Sequence, residues 1–161
     1  MKNSLGIIFL MFLISACNQS RIAKQTVLDL PNNGWAKNRE IKLNFKPEKG
    51  QSYDLYFLLR NDTQYPYSNI FLIADISNKQ QQIIDTLEYE MADAQGKWLG
   101  SGFGEMKESK LLYKKDFQFK DTSNYTISVQ QAVRKTGNIK GDSILTGIKT
   151  VGIIIEEANH K

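Results

Sequence analysis

The chain has 161 residues, 41% of them hydrophobic, with 21 basic and 17 acidic side chains, one cysteine and one histidine. This length fits a single domain that buries roughly two-thirds of its unfolded surface. The net charge of +4 is mild and the cations are scattered, with Lys114-Lys115 the nearest thing to a cluster, so nucleic-acid binding has no footprint. A lone cysteine excludes an intrachain disulfide, and the lone histidine, His160, stands beside the last residue, a poor place for a catalytic triad, a zinc ligand or a general base.

The first element is an uncharged run of ten residues, Leu5 to Ile14, behind Lys2. As a helix it would rise about 15 Å, half of the roughly 30 Å of bilayer hydrocarbon. It is therefore expected to be a signal peptide, not a span. The following Ile14-Ser15-Ala16-Cys17 resembles a bacterial lipobox. The thiol is the side chain nucleophilic enough to take a diacylglycerol as a thioether. Cleavage before Cys17 and N-acylation then leave two or three acyl chains, enough for stable anchoring. The expected organisation is a signal at 1–16, a lipidated tether at 17–25 and one domain at 26–158. Loss of residues 1–16 takes one cation away and leaves a balance of about +3, too little to make the surface strongly attractive to anionic head groups.

Period two dominates the rest. Ile41, Leu43 and Phe45 alternate with polar residues, and Tyr53, Leu55, Phe57 and Leu59 share a face opposite Asp54, Tyr56, Leu58 and Arg60. Ile83, Leu87 and Tyr89 form another face, as do Leu111, Tyr113, Phe117 and Phe119, then Tyr125, Ile127, Val129 and Val133, and finally Val151, Ile153 and Ile155. Alternation of β-branched and aromatic side chains marks half-buried strands. Ile70 to Ile76 is more uniformly apolar and predicts a strand buried on both faces. Turn signals separate the runs, including Pro47-Glu48-Lys49-Gly50 and Asp121-Thr122-Ser123-Asn124. The best helical segment is Glu88 to Ala94, two turns at most. Eight or nine strands with little helix predict an all-β antiparallel sandwich, immunoglobulin-like or jelly-roll-like, with a closed barrel as the rival.

Few motifs carry chemistry. Gly100, Gly102 and Gly104 could suggest a phosphate cradle, but no helix follows to supply converging amides. Close backbone approach or bulges explain them better. Trp35, Trp98, Tyr65 and Tyr67 could form an aromatic platform for a sugar, with core or edge packing as the alternative. Asp85, Glu88, Glu90 and Asp93 are close in sequence without the spacing of a calcium loop. Paired carboxylates of a glycoside hydrolase are defined by their separation in space. No catalytic or metal residue is assigned.

The segments "YPYSNIFLIADI", "GKWLGSGFGEMK" and "TISVQQAVR", with the closing "LTGIKTVGIIIE", resemble the gliding-motility lipoprotein family GldH of the Bacteroidota. The resemblance runs from Cys17 to about Glu157. Val133 takes a position where many members carry methionine, a conservative apolar exchange. The resemblance implies a non-enzymatic, lipid-anchored component or assembly factor of the gliding and type 9 secretion machinery, with other envelope proteins as partners. It implies no cofactor beyond the lipid on Cys17. "NQSRIAK" after Cys17 lacks the acidic residues of a surface-export signal in these bacteria, which points to the outer membrane facing the periplasm. The lineage also implies O-glycosylation at Asp-Ser/Thr-apolar sites, here Thr86 and Ser143. The alternative function is a carbohydrate-binding module of the envelope, requiring Trp35, Trp98, Tyr65 or Tyr67 exposed together; a hydrolase is a third reading.

Overall fold

The computed structural model describes residues 21–31, 34–133 and 143–158. Cys17, His160 and Asp142 lie outside them. Among the described residues there is no helix and there are ten strands: β1 (Ile22–Asp29), β2 (Trp35–Ala36), β3 (Ile41–Phe45), β4 (Ser52–Asn61), β5 (Asn69–Ser77), β6 (Gln82–Glu90), β7 (Lys107–Gln118), β8 (Tyr125–Gln131), β9 (Ile144–Leu145) and β10 (Ile148–Glu157). The eight long strands form two antiparallel sheets, ordered β1-β10-β4-β7 and β3-β8-β5-β6, and β2 with β9 makes a short ribbon.

Outside β5, the inward-facing sets are those the alternation predicts. Leu55, Phe57, Leu59, Val151, Ile153 and Ile155 of one sheet meet Leu43, Ile70, Leu72, Ile76, Ile127 and Val129 of the other in one core. The two ladders remain separate, so the molecule is a sandwich and the barrel alternative falls. Strand β1 begins at Ile22, so residues 22–25, expected in the tether, belong to the domain; Lys24 and Gln25 pair with Ile155 and Ile154.

Two other expectations are corrected. Strand β5 is not buried on both faces: Ile70, Leu72, Ala74 and Ile76 are buried, but the outward Phe71, Ile73 and Asp75 are only half-covered. The strand buried nearly throughout is β10, which lies between β1 and β4 and whose outward Gly152, Ile154 and Glu156 are covered as well. The helical turn expected at Glu88–Ala94 is absent, because Glu88 and Glu90 continue β6 in register with Phe71 and Asn69.

The antiparallel order gives the sandwich two poles. At the N-terminal pole, Arg21 bonds to Glu157, and the turns at 46–51, 78–81 and 119–124 lie between strand ends. At the far pole are the β2/β9 ribbon and the connections 62–68 and 91–106. A ten-residue strand spans roughly 33 Å between them.

Candidate functional site

Connection 91–106 is a pair of successive tight turns, held largely by backbone bonds. Its base is fixed where the Met91 and Ala92 amides donate to the Ser68 carbonyl at 2.7 and 3.0 Å, and Met91 itself is buried. In the first turn, Asp93 Oδ1 accepts from the amides of Gln95 and Lys97 at 3.0 and 2.8 Å. This is the short-range bonding that suits aspartate to turns. In the second, the Ser101 and Glu108 amides and carbonyls exchange bonds of 2.9 and 2.7 Å, and Lys107 Nζ donates to the Gly102 carbonyl at 2.8 Å.

Gly102 has φ +136°, and a Cβ there would lie 2.6 Å from the Met106 carbonyl oxygen. Gly100 and Gly102 therefore permit close backbone approach, as the sequence suggests, while Gly104 supplies a positive φ. Their effect is to lift Phe103 to the tip of a hairpin, where it is fully exposed, with Met106 exposed beside it. A shallow groove of about 260 Å³ runs at its foot, lined by Arg60, Ser101, Gly102, Phe103, Met106 and Glu108. Arg60 Nε is bonded to Glu108 Oε2 at 2.6 Å, so the groove floor carries a neutralised pair.

Three of the four residues considered for an aromatic platform come together, but as packing. The Tyr65 ring lies 5.8 Å from Tyr67 and 6.0 Å from Trp98. Tyr65 is buried and its hydroxyl donates to the Asn69 carbonyl at 2.6 Å; Tyr67 and Trp98 are half-buried against the core. Trp35 stands apart, 0% exposed, with Nε1 donating to the Arg39 carbonyl at 2.7 Å. The four do not form one exposed platform, because Trp35 and Tyr65 are taken into the core and only Tyr67 and Trp98, which pack partly against it, keep part of their surface exposed.

The carboxylates of 85–93 do not converge. Asp85 points inward, Glu88 and Glu90 outward, and Asp93 caps its turn. Asp85 Oδ2 takes a 2.8 Å hydrogen bond from the Tyr113 hydroxyl and a 2.8 Å ion pair from Lys114 Nζ. Lys114, then Tyr113, hold the Asp85 carboxyl below the usual carboxylate range. Burial, then Asp85, push the Tyr113 phenol up, and burial pushes Tyr89 up to about 12. Neither partner of the Asp85–Tyr113 bond is poised to exchange a proton near neutral pH. Among the described residues no three His, Cys, Asp or Glu side chains could hold a metal ion.

Of the two residues considered for glycosylation, Ser143 is exposed beside the ribbon, while Thr86 sits within β6, paired to Ile73. Asp85 and Thr86 face opposite sides of that strand.

The comparisons with known proteins decide the family. Residues 23–155 match the family described as GldH lipoprotein. The chain belongs to the GldH lipoprotein family. A gliding motility lipoprotein GldH homolog from Christiangramia forsetii is 40% identical over 157 residues, covering 95% of this chain and 94% of that one. The gliding motility lipoprotein GldH of Flavobacterium johnsoniae is 35% identical over 158 residues, 97% of each chain. No solved structure matches. Family membership makes this an envelope lipoprotein, and connection 91–106 lies inside the matched region. Sequence reasoning did not identify Phe103 as a presented side chain. The available signal was an aromatic flanked on both sides by glycine, in Gly102-Phe103-Gly104.

Proposed function

We propose that this GldH-family chain is a non-enzymatic assembly component of the gliding and type 9 secretion machinery, anchored through acyl chains on Cys17 to the outer membrane and facing the periplasm. Its far-pole hairpin docks onto another protein of that machinery. The carrying observation is Phe103: a large apolar side chain wholly in water, on a loop whose backbone is fixed by hydrogen bonds, not frayed. Phe103 and Met106, which share the groove at the hairpin's foot, offer the apolar anchor that protein interfaces centre on. Confinement to a membrane raises the encounter rate with other envelope proteins without added contacts.

A photo-crosslinking amino acid at position 103 should trap one discrete envelope protein in cells, and one at Ile84, exposed on β6, should not. The same indiscriminate set at both positions, or lipid adducts at 103, would overturn this reading. Both are exposed, but Ser143 lies outside the strands whereas Thr86 is held in the β6 ladder, which favours Ser143 as an O-glycan acceptor; an intact mass that falls in Ser143→Ala by no more than the serine oxygen would remove that assignment.

A further inference from the structure

At the N-terminal pole, the turns at 46–51, 78–81 and 119–124 enclose a cleft of about 340 Å³. Lys46, Lys79, Asn78, Thr122, Ser123 and Asn124 line it, and no carboxylate does. Its walls are tied together. Asn78 Oδ1 accepts the amides of Gln80 and Gln81 at 2.9 and 2.8 Å, while Asn78 Nδ2 donates to Ser123 Oγ at 2.9 Å. The nearby Asp121 accepts the Ser123 amide at 2.8 Å and so braces the third turn.

Cations elsewhere are in part neutralised. Arg21, Lys42, Arg60, Lys110, Lys114 and Lys149 each pair with a carboxylate. Lys46, Lys49, Lys79 and Lys120, all in these three turns, form no ion pair among the described residues. The ammonium groups of Lys46 and Lys79, at a cleft whose lining includes the Thr122 hydroxyl and the Asn124 amide, suit a phosphate. The position supplies the source. Arg21 opens this same pole, and four residue steps from Cys17 reach about 14 Å at most, on the order of one to two Debye lengths from a charged bilayer surface.

We infer that this cleft binds the phosphate of an anionic phospholipid head group in the membrane that carries the chain, fixing the domain upright with its far pole outward. The inference rests on the lipid anchor at Cys17. The full-length lipoprotein, purified from membranes, is placed in nanodiscs of phosphatidylcholine alone or mixed with phosphatidylglycerol, and lysine acylation is read by mass spectrometry. Lys46 and Lys79 should be protected about fivefold by phosphatidylglycerol, with Lys97 at the far pole unchanged. Lys46→Gln/Lys79→Gln should free Lys49 and Lys120 from such protection. Equal labelling in both discs would overturn the head-group site while leaving the anchor standing; failure to enter discs at all would overturn both. Protection by inorganic phosphate in phosphatidylcholine discs, matched by none from phosphatidylglycerol, would overturn the membrane as the source.

Discussion

The Tyr113 hydroxyl donates to Asp85 Oδ2 at 2.8 Å, joining β7 of one sheet to β6 of the other along the open side of the sandwich. Tyr89 adds a bond from its hydroxyl to the Leu112 carbonyl at 2.9 Å. The join depends on bulges in β7. Tyr56 pairs with Leu112 but Leu55 with Lys114, and Tyr53 pairs with Phe117, so β7 carries two extra residues. Asp116, at the second, takes φ +54° and donates its amide to Asp54. Bulges re-aim side chains. The first turns Lys114 toward Asp85, and the second restores the parity that sends Phe117 and Phe119 inward.

Asp85→Asn should therefore weaken the domain in a pH-dependent way. Because Lys114 and then Tyr113 lower the folded carboxyl, the stabilisation is complete above the unfolded aspartate value of about 4 and is lost as pH falls through the lower folded value. At neutral pH the loss should be about 1 kcal/mol, allowing for screening at the rim. Thermal melts should show the wild-type advantage narrowing toward pH 2. An equal gap at all pH values would show that the latch is not ionic.

Gly147 and Gly104 separate steric from conformational cost. Both have positive φ, +79° and +62°, but a Cβ on Gly147 would lie 2.1 Å from the Tyr65 backbone nitrogen, while Gly104 faces open space. Gly104→Ala should cost about 1–2 kcal/mol. Gly147→Ala should exceed that several-fold or prevent folding, because backbone must move and the Asp62 amide bond to the Gly147 carbonyl at 2.9 Å goes with it. Chemical denaturation of both variants reads the difference directly.

Most of the core was legible because most strands have one wetter face. Ile41-Leu43-Phe45 and Val151-Ile153-Ile155 could be assigned inward from alternation alone. The double burial of β10 was not, since the cover over Ile154 and Glu156 comes from strands remote in sequence. Glu88 and Glu90 have good helix propensity, which β pairing overrides. At the candidate site, Gly102-Phe103-Gly104 reads as loop, and nothing local tells whether a loop aromatic folds back or stands out. That depends on Lys107 Nζ and Glu108 closing the hairpin beneath it.

Phe103→Asp should leave stability within about 0.5 kcal/mol of wild type, since the ring touches no core residue. The same substitution should abolish complementation of a strain lacking the gene. Full complementation with an unchanged melt would remove the hairpin from function.

Glu156 is only 6% exposed, yet it carries a carboxylate on the outer face of β10. Lys110 Nζ meets it at 2.6 Å and lies 4.1 Å from the Tyr56 ring centroid. Lys110→Met should cost about 1–3 kcal/mol by removing the charge that compensates this buried group. Adding Glu156→Gln should recover part of the loss, measured as a double-mutant cycle in urea.

Cys17→Ser should accumulate as uncleaved precursor and fail to incorporate a palmitate analogue. Normal maturation and membrane partitioning of that variant would refute the anchor.

The antiparallel pairing of β1 with β10 also sets how the molecule bears load. A pull between residue 21 and the hairpin at 103 runs along the strands, so the seven paired positions from Ile22 to Asp29 resist together in shear. A pull between residue 21 and residue 158 peels the same two strands apart from one end, bond by bond. Optical-tweezers traces should show the first geometry rupturing at markedly higher force.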